Sequence, residues 1–226
     1  MIDRSKFRPT STLYMRKDIF NEEIDYFQKY IVEVSYKFET RAIELNNLYI
    51  ETIHEYDDRL YEEYKINIEE FPKILNSSML ITLQSILEKT LKKLLKDSLK
   101  KLDKSMRDKK ETESDISYYK NVFKEEIAID FSSSETVWKK INNFRLIRNL
   151  FVHNGGNINQ VIEISDKRRI EKIINTDKKT NNWLVLNEHT GDIIVYNNQY
   201  LISYLISIQE FCNNLFDQLI EKDISS

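Results

Sequence analysis

The chain has 226 residues, of which 31% are charged, with 3 glycines, 2 prolines and a net charge of −3. This composition favours long helices with few tight turns, and its charge gives no overall attraction to nucleic acid. The single cysteine, Cys212, excludes an intramolecular disulfide and suits a reducing compartment. The sequence shows no N-terminal hydrophobic run of secretory type and no apolar run of about 20 residues. We therefore expect a soluble, cytoplasmic protein with no membrane partner.

The N-terminal third of the chain is predicted to be a polar, basic tail followed by a long acidic helix. Residues 18–64 contain no glycine or proline, and apolar residues recur there at steps of three and four. The segment is either one helix or a helix broken once near Asn46-Asn47. Residues 18–70 carry 15 acidic and 5 basic side chains. Residues 1–70 are therefore predicted as an extension or dimer clasp.

The second predicted helix, residues 74–106, follows a break at Phe71-Pro72, because proline disfavours helix in the residue before it. Its second half is basic, since residues 89–110 hold 10 Lys or Arg against 3 Asp. Some of these lysines could follow an RNA backbone through non-specific phosphate contacts. The alternative is a solvated face or a complement to the acidic helix. The candidate RNA-backbone residues are Lys92, Lys93, Lys96 and Lys100.

Further elements follow at shorter spacing. After a charged connection at 108–117, the pattern predicts a helix at 116–127. The next helix should begin at a capping box formed by Ser132 and Glu135 and end at Gly155. Two more helices are predicted at 167–174 and 199–221, with a β-hairpin of residues 183–187 and 193–196 between them. His189 falls at the hairpin tip and is predicted to be an exposed turn residue. The sequence has no zinc-type Cys/His spacing and no phosphate-binding glycine loop, so we predict no metal and no cofactor. One helical face carries His54, Asp57 and Asp58, and such clustering is expected by chance in so acidic a segment.

The segment from Arg148 to His153 contains the least ordinary residues of the chain. At 100° per residue, Arg148 falls in the middle of the apolar stripe formed by Ile141, Phe144 and Phe151. Arginine is almost never fully buried without a partner, so Arg148 must meet a buried anion or lie at a surface that something else covers.

Asn149 and His153 lie four residues apart on a second face of the same helix. The amide could therefore hydrogen-bond the imidazole and fix its tautomer. Gly155-Gly156 is predicted to end the helix, which places His153 in its last turn. There the helix dipole favours the protonated imidazole, a state suited to acid/base chemistry near neutral pH.

This arrangement resembles the HEPN superfamily of small all-α domains. Its nuclease members carry an arginine, usually a polar residue beside it, and a histidine a few positions later. Residues 71–88, which open with small polar residues and carry Glu88, look like another helix of the family, and residues 191–195 with the helix after them are similar to the end of several bacterial members. The resemblance covers residues 70–222. It implies an all-α, HEPN-like helical bundle at 71–226, with a long N-terminal helix and a small β-hairpin before the last helix.

The resemblance implies a metal-independent endoribonuclease that acts as a homodimer on an RNA substrate. One arginine and one histidine from each subunit would meet at the interface, with Arg148, Asn149 and His153 as site residues and Glu88 as a possible support. Such a protein would be a toxin or phage-defence effector, partnered by an antitoxin or regulatory protein. Its products would be a 2′,3′-cyclic phosphate and a 5′-hydroxyl.

The alternative is a non-catalytic helical module for dimerisation or binding. In that case Arg148 pairs with a buried carboxylate such as Glu88, contributes contacts to an interface, or binds a nucleotide. His153 is then an ordinary histidine at a helix end. An open cleft that brings Arg148 and His153 beside their two-fold mates favours catalysis. Internal carboxylates that cap both residues favour the binding module.

Overall fold

The computed structural model describes residues 10–51, 58–111 and 113–224. These residues form helices with one two-stranded sheet, which confirms the predicted fold class: an all-α fold with a long N-terminal helix and a small hairpin before the last helix. No helix among them is long and apolar enough to cross a bilayer. The elements are α1 (Thr10–Glu51), α2 (Asp58–Lys65), α3 (Phe71–Lys101), α4 (Asp115–Glu126), α5 (Glu135–Asn154), α6 (Ile164–Thr180), β1 (Leu184–Leu186), β2 (Ile193–Val195) and α7 (Gln199–Ile224).

Helix α1 begins earlier than predicted and has no break at Asn46-Asn47. It begins at Thr10, within the predicted tail, and runs for 42 residues. Ala42 and Leu45 are 2% and 0% exposed, so the helix is packed on the core just before the two asparagines. Burial of one apolar face holds a helix together through residues of modest helix propensity.

The predicted break at Phe71-Pro72 is wrong, because the chain stays helical there in a different form. Residues Ile66–Glu70 form a π-helical turn, and the Phe71 N–H donates to the Ile66 carbonyl five residues back. Phe71 has φ −63° and ψ −45°, and α3 continues from it directly. Proline is tolerated near the start of a helix, where its missing N–H needs no partner.

The contacts divide the chain into two units, each built from separate stretches. The first unit comprises Met1–Asp25, Leu83–Asn142 and Leu205–Ser226, and the second comprises Tyr26–Thr82 and Asn143–Tyr204. Each has its own apolar core. In the first unit, the Phe211 ring stacks on Phe131 with centroids 5.5 Å apart. In the second, the Phe144 ring stacks on Tyr204 with centroids 4.5 Å apart. The predicted division at residue 70 stays a prediction.

The predicted capping box at the start of α5 is also wrong. Ser132 belongs to a 3₁₀ turn, Ser132–Ser134, and its N–H and hydroxyl donate to Asp130 at 2.9 and 2.8 Å. The Glu135 carboxylate accepts from Lys120 Nζ at 2.7 Å instead of reaching back to the serine. The two residues of the predicted box thus have other partners: Ser132 bonds to Asp130, and Glu135 bonds to Lys120 of α4.

Helix α6 and the hairpin form one assembly in the second unit. Ile170, Ile174 and Asp177 share one buried face, which extends α6 beyond the predicted end at Ile174. The Asp177 carboxylate accepts the N–H groups of Trp183 and Leu184, each at 2.7 Å. A buried carboxylate at the helix end therefore fixes the start of β1. The predicted hairpin is confirmed, with Leu184 opposite Val195 and Leu186 opposite Ile193.

A charged cluster organises the connection between α3 and α4 in the first unit. The Glu113 side chain is 10% exposed and accepts from Arg107 Nη2 at 2.8 Å and Nη1 at 2.9 Å. It also accepts from Asn121 Nδ2 at 2.9 Å and from the Lys110 N–H at 3.1 Å. These bonds, foremost those from Arg107, lower the pKa of Glu113 to about 2. Hydrogen bonds to a carboxylate favour its charged form.

We expect Glu113 to make the stability of the protein depend on pH. Because its pKa is lower in the folded than in the unfolded chain, its contribution is complete above the unfolded value and is lost as pH falls toward about 2. Urea unfolding measured from neutral pH down to about pH 2 should show a steeper loss of stability in wild type than in Glu113→Gln. Glu111→Gln, at an exposed neighbouring position, should keep the wild-type slope. Equal slopes for wild type and Glu113→Gln would contradict this account.

Candidate functional site

Helix α5 presents Arg148 on its apolar side, as the sequence predicts. Ile147 and Leu150 on either side are 0% and 1% exposed, and Phe144 one turn earlier is 7% exposed. Arg148 itself is half-buried. Its Nη1 donates to Asn149 Oδ1 at 3.1 Å, whereas its Nε is buried and bonds to no acceptor in the described chain.

The charge of Arg148 is not neutralised within its own unit. Among the described residues of the second unit, no carboxylate lies within ion-pairing distance of its guanidinium. Its one hydrogen-bond partner there, Asn149, is a neutral amide. A half-buried cation without an anion is costly, so it favours an anionic ligand that supplies the missing charge.

His153 occupies the last turn of α5 and is exposed. The expected hydrogen bond between Asn149 and His153 is not formed in the described structure; the Asn149 oxygen accepts from Arg148. Asn149 therefore orients the guanidinium instead of the imidazole. The His153 imidazole has no hydrogen-bond partner among the described residues.

The glycine stop after His153 is confirmed and has a defined geometry. Gly155 and Gly156 have φ of +57° and +85°, and the Gly156 N–H donates to the Leu150 carbonyl at 3.1 Å. This bond joins residues six positions apart, one more than the six-to-one bond of a Schellman C-cap. The Gly156 carbonyl accepts from the Ile193 N–H of β2 at 2.9 Å. The end of α5 that carries His153 is thus tied to the hairpin.

The other candidate residues lie in the first unit, on α3. Glu88 is half-buried and accepts from Gln84 Nε2, one turn earlier, at 2.7 Å. Its supporting role stays a prediction. The four candidate RNA-backbone residues are exposed, and the structure gives them no ion pair with any described residue. They are Lys92, Lys93, Lys96 and Lys100.

Metal-ligating chemistry finds no support in the described ranges. No group of three or more His, Cys, Asp or Glu side chains is placed there to hold an ion. His54 and Asp57 of the acidic segment lie outside the described residues. Cys212 is buried with a free thiol, and burial raises its pKa, so it is not poised as a nucleophile. His189 is exposed in the hairpin turn, as predicted.

A cavity of about 540 Å³ in the second unit has no counterpart among the sequence predictions. Its wall combines several amide side chains, among them Asn76, with the tyrosines Tyr64 and Tyr196. Asn76 stands among the small polar residues at the start of α3, and its contribution to a pocket has no local signal. The pairs Asn46-Asn47 and Asn197-Asn198 were the visible hint.

No protein-family model, no curated protein and no solved structure matches this chain. The HEPN resemblance therefore rests on the residues quoted for it, Arg148, Asn149 and His153 above all.

The two glycines after His153 should differ in their tolerance of a side chain. A Cβ at Gly155 meets open space, so Gly155→Ala should cost only the left-handed conformation, about 1 to 2 kcal/mol. A Cβ at Gly156 would lie 2.9 Å from Phe151 Cε1, so Gly156→Ala should destabilise the protein more. The free energy of unfolding in urea measures both. A larger loss for Gly155→Ala would refute this description of the cap.

Proposed function

We propose that the protein is a metal-independent endoribonuclease of HEPN type that works as a homodimer. The observation that carries the proposal is Arg148, a half-buried cation with no carboxylate partner among the described residues of its unit, five residues before an exposed histidine. One helix thereby supplies a group that binds a phosphate and a group that transfers protons. Asn149 holds the Arg148 guanidinium, whose Nη1 donates to Asn149 Oδ1 at 3.1 Å.

RNA cleavage without a metal needs three groups. A base removes the proton of the 2′-hydroxyl, a cation stabilises the charge that develops on the phosphorane, and an acid protonates the leaving 5′-oxygen. One histidine cannot be base and acid at once. Two copies of His153 related by a two-fold axis can divide these roles, and Arg148 can bind the phosphate with two N–H groups.

The exposed lysines of α3 would add contacts of a different kind. Lys92, Lys96 and Lys100 follow one another at intervals of four residues and so form a row along the helix. Such a row can bind phosphates without reading base sequence. Asp97, the acidic residue among them, is already paired with Arg16. In a cell, an RNase of this kind would serve as a toxin or a phage-defence effector, restrained by an antitoxin or another regulatory protein.

A second candidate function is a non-catalytic helical module for dimerisation or binding. The observation that favours it is the number of large apolar side chains exposed on α1, where Tyr26, Tyr36 and Ile43 are 67%, 66% and 62% exposed. Exposed apolar surface of this kind marks protein interfaces. A protein that forms dimers in sedimentation and leaves RNA intact would fit this function and not the first.

We expect His153→Ala to reduce RNA cleavage by about 100-fold or more, because it removes the proton-transfer group. The assay follows end-labelled RNA on denaturing gels and identifies the new ends by mass spectrometry as 2′,3′-cyclic phosphate and 5′-hydroxyl. His189→Ala is the matched control, since His189 is also exposed in the second unit and lies in the hairpin turn. Circular dichroism and sedimentation establish that each variant is folded and has the wild-type oligomeric state.

Arg148→Ala should reduce cleavage to a similar extent, and Arg148→Lys should recover only part of it, because lysine keeps the charge without the planar fork. Arg169→Ala serves as the control, at an exposed arginine whose Nη1 lies 3.6 Å from Asp166. Wild-type cleavage by purified His153→Ala or Arg148→Ala protein would remove the mechanism.

Cleavage should be unaffected by chelators, since the proposed chemistry draws all its charge from Arg148 and His153. The measurement compares initial rates in EDTA and in magnesium, with RNA and with DNA of the same sequence. DNA should not be cut, because it lacks the 2′-hydroxyl that acts as nucleophile. Loss of activity in EDTA that magnesium restores would speak for a metal-dependent enzyme instead.

A further inference from the structure

The cavity of the second unit has amide groups among apolar ones in its wall and no described cation. Its volume of about 540 Å³ lies within the range of small-molecule sites. No lysine, arginine or histidine stands among its described lining residues, and Glu39 is the carboxylate there. Such a wall favours a neutral ligand with hydrogen-bond donors and disfavours a phosphate. Six side-chain amides line it: Asn46, Asn67, Asn76, Asn197, Asn198 and Gln199.

Asn76, a residue of the cavity wall, has an unused acceptor. The residue is 2% exposed, and its Nδ2 donates to the Val195 carbonyl at 2.8 Å, which fixes the orientation of the amide. Its Oδ1 is buried and accepts no hydrogen bond from any donor in the described chain. Buried polar atoms in proteins are nearly always bonded, so an orphan at a cavity wall indicates a ligand that donates to it.

The backbone beside the cavity includes a π-helical turn. Asn67 and Ile68 of the lining belong to the π-helical turn between α2 and α3. Asn67 is 8% exposed and donates to the Glu63 carbonyl at 2.9 Å. Short π-helical turns inside helices occur often at functional sites. The turn thus places a second buried amide at the wall, with Tyr64 one turn earlier in the lining.

We propose that this cavity binds a nucleobase that carries an exocyclic amino group, as adenine, cytosine and guanine do. The amino group supplies the donor that Asn76 Oδ1 lacks. Amide side chains recognise base edges because they offer an acceptor and a donor side by side. Tyr64 and Tyr196 offer ring faces on which a planar base can stack. The base reaches the cavity either as a free nucleoside or as an unpaired base of RNA.

Nucleosides in which a carbonyl group replaces the exocyclic amino group test the proposal. Ligand-observed NMR titrations of the full chain, up to millimolar concentration, compare adenosine with inosine and cytidine with uridine. We expect the amino-bearing member of each pair to bind about fivefold more tightly or better. Adenosine monophosphate should bind no more tightly than adenosine. Equal affinity within each pair, no binding of any nucleoside, or equal binding of free ribose would overturn the proposal.

A matched pair of variants localises the binding without removing a buried group. Ile43 lines the cavity and is 62% exposed. Ile50 lies seven residues further along α1 on the same face, is 57% exposed and is outside the lining. Ile43→Trp should abolish adenosine binding, whereas Ile50→Trp should leave it unchanged. Thermal unfolding monitors the fold of both. Undiminished adenosine binding by a folded Ile43→Trp protein would refute the assignment.

The His153→Ala protein separates the two sources of the base and keeps this inference distinct from the proposed function. With cleavage disabled, short oligoadenylate and oligoinosinate can be titrated intact. A preference for adenine in nucleosides alone assigns the cavity to a free nucleoside. If the oligonucleotides show the same preference for adenine and Ile43→Trp abolishes it, the cavity binds a base of RNA. An adenine preference in a protein that cuts no RNA would sustain the cavity and refute the nuclease.

Discussion

The β-hairpin has only two strands, so each strand has an edge without a partner strand, and the buried backbone groups on those edges must bond elsewhere. The second unit satisfies them with three helices. The Ile193 N–H of β2 donates to Gly156 after α5, Asn76 of α3 donates to the Val195 carbonyl, and Asp177 of α6 accepts from the start of β1. Two strands of three residues thereby hold the start of α3 and the ends of α5 and α6 in fixed positions.

This constraint determines how α5 presents its polar residues. The C-cap glycines tie the turn that carries His153 to β2, and Arg148 stands in a stripe of buried apolar residues on the same helix. Several other described arginines have carboxylate partners, as Arg107 has Glu113 and Arg41 has Glu63. Arg148 differs, since its described partner is a neutral amide. That difference in charge balance is what makes an anionic substrate a physical expectation.

The cavity and the Arg148–His153 helix differ in the chemistry that they offer. The helix offers a cation and an imidazole, which suit a phosphate, whereas the cavity offers amide groups and tyrosine rings, which suit a base. Strand β2 connects the two, because Ile193 bonds to Gly156 while Tyr196 lines the cavity. Three residues of extended chain span about 10 Å. If both proposals hold, one unit would therefore bind a phosphate and a nucleobase at two separate places.

The sequence by itself determined the helices, the hairpin and the stop at Gly155, because apolar periodicity and glycine conformation act over a few neighbouring residues. Tertiary structure decided the rest. Lys120 of α4 bonds to the Glu135 carboxylate, Asp177 of α6 accepts from the start of β1, and Asn76 of α3 donates to the Val195 carbonyl. It also brought amides from distant segments around one cavity. Which partner a polar group takes depends on what folding brings within about 3 Å of it, and no local pattern encodes that distance.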